Sequence, residues 1–229
     1  MMAETKKHAL IVAGGSGARM GTETPKQFLI LAGKPLLMHT LEVFQQIPGI
    51  NIVIVLPEEF ILSWKQLCTG HSFSVEHKIV AGGSSRFLSV KNGLQEIPDG
   101  LVAIHDGVRP LVTKEMIERS FSVAAEKGNA VTVVKLKDSI REKINSTETR
   151  SVRRENFFLV QTPQTFKTSL IKSAYKMAVH SNFADDATVL EEIFNEKINL
   201  VTGDYRNFKI TTPEDLVMAE ALLKTKTDF

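Results

Sequence analysis

With 229 residues, 43% of them hydrophobic and 24% charged, the chain has apolar surface enough for one globular α/β core, and no low-complexity linker breaks residues 1–229 into parts. A formal net charge of +2 excludes the general basic field of a nucleic-acid binder. The opening MMAETKKHALIV is too short, and too soon interrupted by glycine, for a signal peptide, and no apolar run approaches a membrane span. The expectation is a soluble cytoplasmic protein with neither nucleic acid nor membrane as partner.

His8–Ala13 is an apolar run that reads as a short strand buried on both faces. It breaks into the glycine loop GGSGAR, residues 14–19, and a polar link then leads to Pro25 and Lys26. Glycines let a ligand approach the backbone, and successive free N–H groups form an anion-binding concavity. Ala13, Gly14, Gly15 and Gly17, with Arg19 and Lys26 adding two positive charges, therefore suit a polyphosphate. The Walker pattern is excluded because no Gly-Lys-Ser/Thr ends the loop. The dinucleotide fingerprint is excluded by Met20, which stands where its third glycine belongs. A tight surface turn with incidental charges remains the plainer alternative.

Residues 28–31 are extended and turn at Ala32-Gly33-Lys34, after which Pro35 sits where a helix opens. Leu36, Leu37, Thr40, Leu41 and Phe44 recur at helical spacing up to Pro48-Gly49. A buried strand over residues 51–56, a helix over 58–69 and a strand over 73–80 follow. Cys68, the single cysteine, lies in that helix and reads as a packed core residue. The third strand ends in VAGGSSR, residues 80–86, which echoes Val12-Ala-Gly-Gly-Ser16. Two N–H-rich loops at strand C-terminal ends are placed to face one ligand in the crevice where open α/β sheets bind. A helix over residues 86–97, with Ser89 near its start, favours phosphate at its N-terminus.

The strand over residues 101–105 ends in HDGVRP. Asp106, with Arg109 three residues on, is suited to a ribose hydroxyl or a metal ion, while capping the turn is its simpler role. The six histidines show no zinc-ligand spacing, and His105 reads as structural. A helix over 113–127 and a strand over 130–134 complete the βα alternation. The grammar then changes. KLKDSIREKINSTETRSVRR, residues 135–154, alternates apolar and polar around a turn at Asn145–Glu148, as a long hairpin would. An isolated two-stranded hairpin is marginal in water, so a second subunit is the natural surface for it to pack on. A solvated edge hairpin whose charges discourage aggregation is the alternative. Residues 157–164 return to the core, and a helix follows over 167–180. Asp185 and Asp186 open a further helix whose dipole they complement. Late strands over 198–202 and 208–210, the second carrying Lys209, precede a strong helix start at TTPED.

This ordered set (GGSGARM with PKQF, GGSSR with Ser89, HDGVRP, KDSI, QTPQ and NFKITTPED) resembles the cytidylyltransferases of the non-mevalonate isoprenoid pathway over nearly the whole chain. Those enzymes make 4-diphosphocytidyl-2-C-methyl-D-erythritol from CTP and 2-C-methyl-D-erythritol 4-phosphate. The resemblance implies a Rossmann-like α/β nucleotidyltransferase domain with a mostly parallel sheet. It implies a homodimer in which a β-hairpin arm, residues 135–156, reaches into the partner's site. Arg19, Lys26, Arg154 and Lys209 would then be the catalytic set, Arg19 and Lys26 at the triphosphate and Lys209 facing the reacting phosphates. The stretch Ala13–Gly15, together with Gly17, Gly82, Gly83 and Ser89, would hold the nucleotide. Asp106 would meet the ribose or a Mg²⁺ ion, and Arg109, Ser139, Arg154 and Thr162 the sugar phosphate.

Two departures stand out: Ser139 where the family usually has Thr, and Ala184 where a Thr usually precedes the acidic pair. The rivals are a ribitol 5-phosphate cytidylyltransferase, a non-catalytic nucleotide-binding regulator, and an NAD-dependent oxidoreductase. Arg19, Lys26 and Lys209 together speak against the second, and Met20 against the third.

Overall fold

A computed structural model describes residues 5–14 and 24–225. Its centre is a seven-stranded sheet of β1 (Lys7–Val12), β4 (Ile50–Leu56), β5 (Lys78–Ala81), β6 (Leu101–Asp106), β7 (Asn129–Lys135), β10 (Phe158–Lys167) and β11 (Leu200–Thr202), in the order β11-β7-β10-β6-β1-β4-β5. β1 runs parallel to both β4 and β6, and β4 to β5. Only β10 is reversed, antiparallel to β6 and to β7. The chain lays β4 and β5 on one side of β1 and then crosses back to put β6 on the other. That reversal leaves a crevice outside the C-terminal ends of β1 and β6, where open α/β sheets place ligands.

Period-two side chains on β1 divide the core into two layers. Ala9 and Ile11 pack against α1 (Leu36–Gln45), α2 (Ile61–Gly70) and α4 (Lys114–Lys127). Leu10 and Val12 face α3 (Arg86–Gln95), α5 (Thr168–Met177) and α6 (Asp186–Phe194). Gly93 sets how near α3 comes to the sheet, since a Cβ there would lie 2.4 Å from Leu10 and 2.7 Å from Val55. A third, smaller cluster gathers Leu31, Leu36, Leu111 and Ile210 under α7 (Pro213–Thr225). Two short strands, β2 (Ile30–Leu31) and β3 (Lys34–Pro35), form the turn that leads into α1.

Four expectations need correction. Of the stretch expected to return to the core over 157–164, residues 157–160 are exposed and only 161–164 are buried. The strand expected over 73–80 is only Lys78–Ala81, because the residues before it are used to enclose Trp64. Phe73 meets Trp64 edge-on at 5.9 Å, and the indole Nε1–H donates to His77 Nε2 at 2.9 Å. The strand expected over 208–210 does not form. Phe208 and Ile210 are packed into the third cluster, but Ile210 N–H donates to the Val108 carbonyl in a loop instead of joining a ladder. At the start of α6 only Asp185 caps, accepting from Thr188 N–H at 2.8 Å, whereas Asp186 is fully buried in an ion pair.

A hairpin does form in the basic segment, pairing β8 (Arg141–Lys143) with β9 (Thr149–Ser151) through a turn in which Asn145 Oδ1 accepts from the N–H groups of Thr147 and Glu148. Every residue of both strands is exposed. Among the described residues no helix is long and apolar enough to cross a membrane.

Candidate active site

The crevice predicted by the strand order is a cavity of about 290 Å³ lined by Ala13 and Gly14 after β1, Gly83–Arg86 and Ser89 after β5, Asp106 at the end of β6 and Val108 beyond it, and Lys26, Gln27 and Lys209. Each loop begins as an extension of the sheet. Ala13 N–H donates to Val55 O, Gly82 N–H to Leu56 O, and Gly107 N–H to Val12 O. The second glycine loop is tied down by Ser89, whose buried Oγ accepts from Gly83 N–H at 3.1 Å and donates to Gly83 O at 3.3 Å. That closure requires glycine, since a Cβ at Gly82 would sit 2.9 Å from Ser89 Oγ and one at Gly83 2.4 Å from Leu88 Cβ. Ser85 then caps α3, accepting from Leu88 N–H at 3.2 Å.

Asp106 is the electrostatic centre. Its Oδ2 receives Lys209 Nζ at 3.1 Å and Arg109 Nε at 3.2 Å, and Arg86 Nε lies 3.8 Å from Oδ1. Burial alone would raise the carboxyl, but Lys209, Arg86 and Arg109 together hold it well below the usual carboxylate range. Behind it His105 is fully buried and neutral, lowered to about 3 chiefly by desolvation. Its Nε2–H donates to Arg109 O at 3.3 Å, so Nδ1 is free to accept from the Thr162 hydroxyl at 3.0 Å. Thr162 Oγ1 in turn accepts Asp106 N–H at 3.1 Å. Arg109 is anchored a second time, donating through Nη1 to Asn207 O at 2.8 Å. Asn207 reaches back to Thr162 O at 2.8 Å, which couples the loop carrying Lys209 to the turn after β6.

The structure brings Ala13, Gly14, Lys26, Gly83, Ser89, Asp106 and Lys209 to one cavity. Gly82 lies just behind its wall, and Arg109 beside it on Asp106. Thr162 stands behind Asp106 with its hydroxyl engaged by His105 and the Asp106 backbone. Ser139 and Arg154 are exposed on the hairpin segment and do not line this chain's own cavity; Arg154 Nη1 donates to Lys137 O. Ala184 is exposed as well. Gly15, Gly17 and Arg19 lie outside the described residues. Cys68 is half-buried, with its thiol pushed up to about 11 by burial, in keeping with a packing role.

Two further residues enter the site from the structure. Arg86 makes a bidentate pair with Asp186 at 2.9 and 2.7 Å and so presents its edge to Asp106. Gln27 is hidden in the sequence beside the more conspicuous Lys26, with only its place in the PKQF motif as a signal.

An open α/β sheet with main-chain loops, two lysines and a clamped carboxylate at its switch point defines a Rossmann-like domain of the nucleotidyltransferase class. The sequence model of 2-C-methyl-D-erythritol 4-phosphate cytidylyltransferases matches residues 7–225. The enzyme of that name from Porphyromonas gingivalis strain W83 is 47% identical over 222 residues, covering 96% of this chain and 99% of that protein. Its counterpart from Bacteroides thetaiotaomicron is 46% identical over 220 residues, with 95% and 100% covered. Among solved structures, the 4-diphosphocytidyl-2C-methyl-D-erythritol synthase of Anaerococcus prevotii superposes with a TM-score of 0.83 at 29% identity, covering 96% of both chains. The cytidylyltransferase of Thermus thermophilus gives 0.79 at 32% identity, with 96% of this chain and 99% of that one covered. The chain belongs to the 2-C-methyl-D-erythritol 4-phosphate cytidylyltransferase family.

Proposed function

We propose that this protein transfers the cytidylyl group of CTP to 2-C-methyl-D-erythritol 4-phosphate, releasing pyrophosphate and forming 4-diphosphocytidyl-2-C-methyl-D-erythritol for isoprenoid precursor synthesis. The observation that carries the reading is the convergence of Lys26, Lys209 and two main-chain loops on the crevice between β1 and β6. The reaction is an in-line displacement in which a phosphate oxygen of the polyol attacks the α-phosphorus of CTP. A phosphate monoester is largely dianionic at neutral pH, with a second pKa of about 6, so no strong general base is needed. What the site must do is bring two anions together and stabilise the charge that grows on the equatorial oxygens.

Lys26, buried at the cavity wall, and Arg19 serve that end. Lys209, held against Asp106 at the cavity wall, faces the reacting phosphates. The loops at Gly14 and Gly83, with Ser89, receive the nucleoside. Ser139 and Arg154 act from the arm of a partner subunit in a homodimer, with Arg109 beside the cavity on the sugar-phosphate side and Thr162 serving it from behind, through Asp106. Asp106 is the carboxylate among the described lining residues, but Lys209, Arg109 and Arg86 already engage its oxygens, so Mg²⁺ would be held chiefly by the triphosphate, with Asp106 joining only in exchange for one of those cations. Bound there, Mg²⁺ would neutralise charge on the departing pyrophosphate.

The test is Lys26→Ala, assayed by pyrophosphate release with CTP against the methylerythritol and ribitol phosphates in parallel. Loss of one positioned donor costs ~3–4 kcal/mol of barrier, so kcat is expected to fall at least about a hundredfold with the fold intact. Near-normal turnover by the folded variant, or preference for ribitol 5-phosphate in the parent, overturns the assignment.

A further inference from the structure

The 3₁₀ turn Lys26–Phe28 is buried throughout and joins the core to the wall of the cavity. Phe28 stacks on Trp64 with ring centroids 5.8 Å apart, which fixes the turn to the first core layer. Lys26 and Gln27 line the cavity. Gln27 is 0% exposed, yet neither its Oε1 nor its Nε2 has a hydrogen-bond partner among the described residues. The other buried orphans among those residues, His8 Nδ1 and Asn207 Oδ1, belong to residues that do not line the cavity.

A buried carboxamide with both ends unpaired keeps its desolvation penalty uncompensated, and native structures rarely retain such a group without a use. Packing does not explain it. An apolar side chain of the same length would fill the space at lower cost.

We propose that Gln27 is a substrate-contact residue whose carboxamide exchanges a donated and an accepted hydrogen bond with a sugar hydroxyl, on the ribose of the nucleotide or on the polyol. This rests on the cytidylyltransferase reading and names a residue that reading does not use. The chemistry selects a hydroxyl. An ionised phosphate only accepts, so it would satisfy Nε2 and leave Oε1 bare, and Lys26 and Lys209 at the same wall are better phosphate partners. A hydroxyl gives and takes one hydrogen bond each, which matches both free ends of the amide.

The experiment compares the full-length parent with Gln27→Met, which keeps length and removes both polar atoms. Expected are a Tm equal to or above that of the parent and a kcat/KM for pyrophosphate release lowered roughly tenfold. If the partner is on the ribose, 2′- or 3′-deoxy-CTP penalises the parent but not Gln27→Met. If it is on the polyol, the variant's KM for the polyol phosphate rises while its KM for CTP and its deoxy-CTP penalty match the parent's. Should Met pack badly, Gln27→Leu gives the same readouts.

A lower Tm with unchanged kinetic constants makes Gln27 a structural spacer and overturns the proposal. Altered CTP-over-UTP preference without any hydroxyl effect does so too, by placing the amide on the base. If the parent itself releases no pyrophosphate from CTP, the functional reading fails separately. Gln27 is then judged by thermal shifts with CTP and with the polyol phosphate, and equal shifts in parent and variant overturn its role.

Discussion

Arg86 shows how a single buried carboxylate can set up a site it never touches. Asp186 is fully buried, grips Arg86 through both oxygens, and accepts the Tyr175 hydroxyl at 2.5 Å. Held this way, Arg86 leans toward Asp106 at the cavity wall, and the Asp186 charge keeps its guanidinium firmly protonated despite burial. Removing one partner of a buried pair strands the other charge, at a cost of about 3–5 kcal/mol for a fully enclosed pair. Because Arg86 is one-third exposed, Asp186→Ala is expected to lower unfolding stability by the smaller figure, about 3 kcal/mol in urea titration, and to raise the KM for CTP. A loss below about 1 kcal/mol would show that the pair is not a support. The pairing was illegible in the sequence. Asp186 looked like a second helix-dipole residue beside Asp185, and its partner lies 100 positions away. A similar separation hides Lys209 on Asp106, whereas Lys26 and the glycine loops announced themselves by neighbours in the chain.

Elements whose side chains all face one environment were legible. β1 is apolar over Ala9–Val12 and β6 over Leu101–Ile104 because helices cover both faces, and α4 repeats its apolar residues at helical spacing between a Thr113 cap and a left-handed Gly128. Segments that bury apolar residues without pairing misled the reading. Residues 73–77 alternate like a strand but serve as a wrap around Trp64, and 208–210 as a plug beneath α7.

The wrap carries a pH dependence. His77 Nδ1–H donates to Val75 O at 2.7 Å, so Nε2 must stay unprotonated to accept the Trp64 indole. Burial lowers the His77 pKa, against a smaller raising effect of the Val75 bond; His8, His39 and, most of all, His105 are lowered by burial as well and share the same pH dependence. With folded values beneath the unfolded 6.5, the unfolded chain binds more protons as pH falls. Stability is therefore complete about one pH unit above 6.5 and is lost progressively as the pH falls through that value. The Tm should drop between about pH 7.5 and 5.5, and His77→Gln, which can still accept the indole N–H, should flatten that drop. An unchanged slope would clear His77 of the effect.

At the scale of the whole molecule the question is what covers the arm. Phe157, Phe158, Leu159 and Val160, at the base of the hairpin, are 41–53% exposed in succession, and β8 and β9 above them pair only with each other among the described residues. A two-stranded ribbon over an apolar run is stable when another surface packs on it. Ser139 and Arg154 sit on this segment, away from their own cavity, which agrees with their proposed service to a partner. Alternating polarity and the Asn145 turn made the ribbon legible, but nothing in one sequence says whether its target is the same chain or another. Complementation decides this. In an isologous dimer each site joins the core of one subunit to the arm of the other. Arg154→Ala and Lys26→Ala are each expected to be nearly inactive. Mixed in equal amounts after subunit exchange, half of the dimers are hybrids, and each hybrid keeps one site with Lys26 and Arg154 both intact, so about a quarter of parental activity should return. Exchange proven by mass spectrometry with no activity regained would place Arg154 and Lys26 in the same subunit's site and remove the arm from catalysis in trans.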